Sequence, residues 1–162
     1  MSFNKLSAGL FALLVFNSMN AFAHTKVLGN YDELLQALDS GEKVRGVIQL
    51  EKCKLESGGG LPKTISVGFD FDYYNHFNVP VDPTHTVEVI STTKNIFTIT
   101  KVNDLGPINN YIQIHISKDN IAHIFGAILD PKNYDQKIFV NYTCPMSADS
   151  AKAGLMLYNQ DA

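Results

Sequence analysis

The sequence predicts a mainly β fold, in which one N-terminal α-helix packs on an antiparallel meander that closes as a barrel or folds as a strongly curved sheet, with one disulfide. Three observations lead to this prediction. A single segment, just before Gly41, has the apolar spacing of an amphipathic helix. After Gly41, β-branched and aromatic residues alternate with polar ones between short turn-forming segments. The chain also contains two cysteines, Cys53 and Cys144.

The predicted helix covers residues 31–40. Asn30 is a favourable N-cap residue, and Glu33 follows three residues later, where its carboxylate can reach back as in a capping box. Gly41 stands where a left-handed C-terminal cap prefers glycine. The apolar residues that recur at helical spacing form one face, which we expect to lie on the core: Tyr31, Leu34, Leu35 and Leu38.

Seven or eight strands are predicted after the helix. The segment from Thr64 to Tyr74 alternates clearly between apolar and polar residues. The segment Thr92-Thr93-Lys94-Asn95 is expected to form the turn of a hairpin between two strands, Val87–Ser91 and Ile96–Val102. Further strands are predicted over residues 44–50, 111–117, 121–129, 137–142 and 154–158, with turns at 118–120 and 130–133 between three of them.

The first 23 residues have the pattern of a cleavable signal peptide. Lys5 supplies a positive start, an apolar run follows from Leu6 to Phe16, and Ala21-Phe22-Ala23 is a small-x-small cleavage signal. A membrane-spanning helix needs about 20 apolar residues, and this run is roughly half that length. We therefore expect residues 1–23 to be removed after Ala23, no membrane span, and a periplasmic or secreted mature protein.

The mature chain, residues 24–162, has the length of a single β-rich domain. Removal of Lys5 leaves 12 of the 13 basic residues against 16 acidic ones, a formal charge of −4, and the charges are dispersed. Nucleic-acid affinity comes mainly from clustered basic side chains that release phosphate counterions. The composition therefore argues against nucleic acid and anionic membranes as partners.

Cys53 and Cys144 most simply pair with each other, because two cysteines in an exported chain usually form a disulfide. The bond would close a loop of about 90 residues, for which the chain-entropy model gives at most about 4 to 5 kcal/mol. A free thiol and a metal site are the alternatives. The metal alternative is weak, because the sequence contains no CxxC and no Cys/His cluster.

The segment from Tyr31 to Leu55 resembles the start of the VirK family of small exported proteins. In that family a helix end of the form LL-x-AL-x-x-G precedes a V-R-x-V-I strand and then a cysteine, and here these parts are Leu34–Gly41, Val44–Ile48 and Cys53. Looser similarity is found at residues 58–60, 121–131, 144 and 154–158, whereas residues 77–109 depart from the family pattern. The resemblance implies an exported accessory or binding protein, linked by family name to bacterial virulence. It supplies no catalytic residues, and it leaves open whether the partner is a protein or a small molecule.

Histidines give one hypothesis for a metal site. After cleavage His24 becomes the amino terminus, where its amine and ring nitrogen can chelate Cu(II), a metal that favours square-planar nitrogen ligands. His115, on the polar face of its strand, or His76 would supply a further ligand. The alternative is an ordinary mobile terminus without metal. Copper is the one cofactor that the sequence leaves open.

Two further hypotheses concern the strands. Asp70, Asp72 and His76 fall at i, i+2 and i+6 of an extended segment, so one sheet face would present all three to a cation or to a hydrolytic reaction. A solvated strand face explains the same pattern more simply, and catalysis is the weakest hypothesis. The many strand aromatics suit core packing, and they suit equally a barrel cavity that carries a small apolar ligand. The sequence thus favours a non-enzymatic binding protein.

Overall fold

The computed structural model of the chain describes residues 25–59, 65–100 and 106–160. These residues form one α-helix, one short 3-10 helix and ten β-strands. In chain order the elements are β1 (Thr25–Leu28), α1 (Tyr31–Asp39), β2 (Lys43–Gln49), the 3-10 helix (Leu50–Lys52), β3 (Lys54–Gly58), β4 (Ser66–Asp70), β5 (Asn75–Asp82), β6 (His85–Thr100), β7 (Gly106–Ser117), β8 (Ile121–Leu129), β9 (Gln136–Pro145) and β10 (Leu155–Gln160). The predicted signal peptide lies outside the described residues.

The strands form two antiparallel sheets. A small sheet has the order β1-β10-β2-β4, and a large sheet has the order β3-β9-β8-β7-β6-β5. The mainly β, antiparallel prediction is confirmed, but the predicted barrel is wrong, because the edge strands β3 and β5 of the large sheet do not pair with each other. Among the described strands, the meander is limited to β5 to β9. Strands β2 to β5 alternate between the small and the large sheet, and β10 returns to pair between β1 and β2.

Helix α1 begins and ends close to its predicted bounds because the residues that cap it are close to it in sequence. The Asn30 side-chain oxygen accepts the Glu33 N–H at 2.9 Å, and the Glu33 carboxylate accepts the Gly29 N–H at 2.8 Å. At the other end Gly41 has φ 76°. This conformation allows the Gly41 N–H to donate to the carbonyl of Leu38 and the Glu42 N–H to donate to the carbonyl of Ala37. This is a Schellman cap, in which glycine avoids the cost of the left-handed conformation.

The core lies between α1, the small sheet and one half of the large sheet's inner face. Leu34 of the helix, Ile48 of β2, and Leu155 and Leu157 of β10 are fully buried. The large sheet contributes residues of alternating positions on its four central strands, as period-2 side-chain geometry requires. These are Ile90, Ile114, Ile116, Ala122, Ile124, Val140, Tyr142 and Cys144.

The predicted hairpin at Thr92–Asn95 is wrong. Strand β6 continues through this segment for 16 residues, and its register with β7 is unbroken from Val89↔Ser117 to Thr100↔Gly106. The segment contains no glycine or proline to turn the chain, and its threonines are β-branched residues that suit a strand. The reversal occurs earlier, between β5 and β6, where Asp82 accepts hydrogen bonds from the backbone and side chain of Thr84.

Two predicted turns are confirmed. Residues 118–120 connect β7 to β8, with Asn120 at φ 63°, and residues 131–133 form the turn between β8 and β9. Across the described ranges, no helix has the length and apolar character that crossing a bilayer requires.

Candidate ligand-binding cleft between the two sheets

The large sheet is longer than the part of it that the small sheet and the helix cover. Along the inner face of β6, Ile90 is completely buried, whereas Ile96, six residues further on, is 52% exposed. The neighbouring strand behaves in the same way, since Ile114 is buried and Ile112 is only half-buried. The inner face therefore leaves the core and opens as a cleft beside β4.

This cleft has a volume of about 490 Å³, which is within the range of small-ligand and peptide sites. Its floor is the uncovered part of the large sheet, and its wall is β4, with Phe69 packed against the core. The side chains in it are mainly aliphatic or aromatic. They come from β4 and from four strands of the large sheet, and they include Val67, Phe69, Ile96, Ile112, Ile128, Ile138 and Val140.

The charged groups at the cleft are paired with each other. Asp70 accepts from Arg45 Nε at 2.6 Å, and Lys94 donates to the carboxylate of Asp72 at 2.6 Å. The hydrogen bond and charge of Asp72 raise the pKa of Lys94, so the ammonium form is retained. Asn110 adds a neutral amide to the lining. The described lining therefore offers apolar surface without an unpaired charge.

The wall of the cleft is an open sheet edge. Strand β4 pairs with β2 on one side only, and no other strand among the described residues pairs with its second side. The Phe71 N–H donates to Val44, and Ile65 accepts from Leu50, so odd-numbered residues of this segment face β2. Because backbone groups alternate in an antiparallel strand, those of Ser66, Gly68 and Asp70 point away from β2, toward the open edge.

The predicted cluster of Asp70, Asp72 and His76 is not assembled. Asp70 ends β4 in the small sheet, Asp72 lies in the connection, and His76 belongs to β5 in the large sheet. The continuous strand that would have aligned them stops at Asp70, because the chain crosses between the sheets. Each aspartate instead pairs with a cation, and the His76 ring lies 6.4 Å from that of Tyr31.

His115 lies on the outer face of the large sheet, as expected for the polar face of its strand. It stands directly opposite His123 of β8, and its ring contacts the edge of Phe77 at 6.2 Å between centroids. Burial lowers the pKa of His115, and the charge of His123 lowers it further. His76 lies on the opposite, inner face of this sheet, in register with Ile90. His24 lies outside the described residues.

Cys53 and Cys144 are joined by a disulfide. The bond connects the residue after the 3-10 helix, which follows β2 of the small sheet, to β9 of the large sheet, so it links the two layers. Gly154 lies against it, and a Cβ at that position would come within 2.8 Å of Cys53 Sγ. Cys144 is fully buried, whereas Cys53 is half-buried.

Sequence reasoning missed the cleft and the His115–His123 pair. The isoleucines of the cleft floor have the same period as those of the core, so alternation does not distinguish covered from uncovered surface. The histidine pair had a usable signal. Both residues lie four positions from Asp119, the centre of the predicted turn at 118–120, and a symmetric hairpin places such residues opposite each other.

Comparison with known proteins agrees with the fold. The model of the family described as VirK protein matches residues 27–134, two thirds of the chain. The crystal structure of a VirK family protein from Legionella pneumophila is similar, with a TM-score of 0.60 and 16% sequence identity, over 81% of this chain and 97% of that chain. At this identity the similarity concerns the fold alone. No curated protein matches the chain in sequence. The extent of the family match shows that the chain belongs to the VirK family.

Proposed function

We propose that this chain is an exported, non-catalytic binding protein that takes an extended, apolar peptide segment in the cleft beside β4. The observation that carries the proposal is the coincidence of an apolar floor with an edge of β4 that no strand of the described residues pairs with. A peptide strand added to β4 would find backbone partners along the edge and apolar side chains below it. This is the mode of recognition known as β-augmentation.

The edge favours a peptide over other apolar molecules. Ser66, Gly68 and Asp70 direct N–H and C=O groups toward the open side, and a hydrocarbon chain has no groups that bond to them. Gly68 adds no side chain at the centre of the edge, and the space around its Cβ position is free for 4 Å. Among the described residues, no side chain at Gly68 hinders a strand that adds to β4.

The charges also favour an uncharged segment. The described charges at the cleft balance, since Lys94 is paired with Asp72 and Arg45 with Asp70, so no net positive charge attracts the head group of a fatty acid or other anionic lipid. Asn110 supplies the lining with a neutral amide that can orient a peptide.

The test uses peptides of defined sequence. Random dodecapeptides displayed on phage are selected on the exported protein, and each selected peptide is labelled with fluorescein and titrated by anisotropy. Gly68→Pro removes the N–H that points to the open edge while leaving the β2 pairing intact, so we expect binding to be lost. Gly68→Ala keeps that N–H and is the matched control, with binding retained.

A second pair of variants tests the floor. Ile96→Lys places a charge in the cleft, and Ile99→Lys places the same charge on the opposite face of the same strand, where Ile99 is 73% exposed. The proposal requires loss of peptide binding in the first variant only. Selection that yields no peptide, or peptides bound equally by all four variants, would overturn it. Binding of cis-parinaric acid that Ile96→Lys abolishes and Gly68→Pro preserves would show a small apolar ligand instead.

Export to the periplasm or the medium is part of the proposal. It is supported by the signal-peptide pattern of residues 1–23 and by a disulfide typical of oxidising compartments. The intact mass of the protein recovered after expression of the precursor tests it. A mass that begins at His24 agrees with export, and one that retains Met1 contradicts it. A role in virulence rests on family membership, and deletion of the gene in the source bacterium, assayed by infection, tests that role.

A further inference from the structure

The outer face of the large sheet carries two imidazoles side by side. His115 of β7 and His123 of β8 are direct cross-strand partners, a position in which Cβ atoms lie about 4.5 to 5.5 Å apart. Both side chains line the same shallow groove of about 380 Å³, together with Glu56, Gln113 and Thr143. This groove lies on the side of the large sheet opposite the peptide cleft, so the proposed function does not use it.

Each imidazole has one neighbouring side chain. The rings of Phe77 and His115 pack in a T-shaped arrangement with their centroids 6.2 Å apart. Thr143 Oγ1 lies 3.4 Å from His123 Nδ1, which leaves the Nε2 atom of His123 for another partner. Two imidazoles on directly paired residues of neighbouring strands thus line one groove.

A carboxylate adds negative charge beside the pair. Glu56 on β3 lies in the same groove, and its carboxylate interacts with Thr143 and with the charge of His123. It is now bound by Lys54 at 3.0 Å. Both partners of that ion pair are exposed, and such pairs contribute only about 0 to 1 kcal/mol, so a divalent cation can compete with Lys54 for the carboxylate.

We propose that His115 and His123 form a bidentate site for a divalent transition metal, with Glu56 as the adjacent carboxylate and water in the remaining positions. Imidazole nitrogen suits Cu(II), Ni(II) and Zn(II), and for a given set of ligands Cu(II) binds most tightly. The described residues contain no group of three His, Cys, Asp or Glu side chains arranged to hold a metal, so the two imidazoles are the protein ligands of the proposed site and Glu56 contributes its charge from nearby. The site is independent of the amino-terminal hypothesis for His24.

The experiment titrates the exported protein with CuCl₂ in the presence of glycine as a competing chelator, with visible absorbance and electron paramagnetic resonance as readouts. His115→Gln and His123→Gln are each expected to weaken Cu(II) binding by about tenfold or more, because loss of a ligand costs at least as much as loss of an outer-shell partner. His85→Gln, at an exposed histidine at the start of β6, is the matched control and should leave affinity unchanged.

His24→Gln separates this site from the amino terminus. Binding in that variant with unchanged nitrogen hyperfine structure supports the His115–His123 site. Loss of binding in His24→Gln alone, or equal affinity in His115→Gln, His123→Gln and the wild type, would overturn it. Circular dichroism of each variant shows whether the sheet is intact, and we expect it to be, because both imidazoles lie on the outer face. Glu56→Gln is expected to weaken binding less than either histidine variant.

Discussion

Removal of the disulfide is expected to cost this protein a large part of its stability. The bond joins residues separated by 91 positions, and the chain-entropy model gives about 4.6 kcal/mol for a loop of this length. Native domains are stable by only about 5 to 15 kcal/mol in total. The perturbation is the double variant Cys53→Ala/Cys144→Ala. Alanine is preferable to serine because Cys144 is completely buried, and a hydroxyl there would lose its hydrogen bonds to water.

The disulfide lies where the two sheets pack on each other, so its removal also affects the packing between them. Cys53 follows the 3-10 helix that leaves the small sheet, and Cys144 is on β9 of the large sheet, so the bond holds the two layers together where the core is packed. Deletion of the two sulfur atoms also removes buried contacts beside Gly154. We therefore expect a loss of about 3 to 5 kcal/mol in the free energy of unfolding.

Equilibrium unfolding in urea, followed by far-ultraviolet circular dichroism, measures the loss. With a slope of about 2 kcal/mol/M, a loss of 4 kcal/mol lowers the midpoint by roughly 2 M. The control is the wild type in dithiothreitol, which should unfold at nearly the same urea concentration as the double variant. A difference below about 1 kcal/mol between oxidised wild type and variant would refute the reasoning, since the bond would then add little constraint to the unfolded chain.

Three other predictions concern single residues. Asn30→Ala removes the side-chain acceptor of the Glu33 N–H and should lower the free energy of unfolding by about 1 kcal/mol. The same urea assay measures this loss, and an unchanged midpoint would mean that the N-cap is not needed. Gly46→Ala places a Cβ 2.2 Å from the ring of Phe69, which then has to move. The free energy of unfolding should fall by about 1 to 3 kcal/mol, and an unchanged value would contradict the close packing of Phe69 on Gly46. Burial, together with nearby carboxylates, raises the pKa of Tyr31 to about 12, so the unfolded chain ionises first and stability should fall as pH rises from about 10 to 12. Tyr31→Phe removes a buried hydroxyl that has no hydrogen-bond partner in the described part of the chain. The variant should be at least as stable as the wild type at pH 7 and should lose less stability at alkaline pH. An identical alkaline loss would assign the effect to other groups.

The parts of the fold that sequence predicted are those specified by neighbouring residues. The helix has its cap residue, its capping carboxylate and its terminal glycine within twelve positions, from Asn30 to Gly41, and its observed bounds agree with the prediction to one residue. The turn at 118–120 is equally local. Membership of the VirK family was also accessible, because the segment from Leu34 to Cys53 has a specific pattern of residues.

The assignment of strands to sheets was not accessible in this way. Strand β2 pairs with β10, more than 100 positions later in sequence, and β4 leaves for the small sheet while β5 joins the large one. Alternation of apolar residues is the same in either sheet. The failure at Thr92–Asn95 has a related cause: β7 pairs with β6 from Val89 to Thr100, and these cross-strand contacts outweigh the weak turn preference of Lys94 and Asn95.

The large sheet extends beyond the small sheet that covers it. This difference explains why one site combines an open strand edge with uncovered apolar side chains. A strand added beside β4 would extend the small sheet from four strands to five, and it would lie over the floor residues Ile96, Ile112 and Ile128 that the small sheet leaves uncovered. The same strand would pair with the backbone groups of Ser66, Gly68 and Asp70. A ligand without a backbone can satisfy only the apolar surface, and a polar strand can satisfy only the edge. A peptide with alternating apolar residues satisfies both, because its period matches that of the sheet.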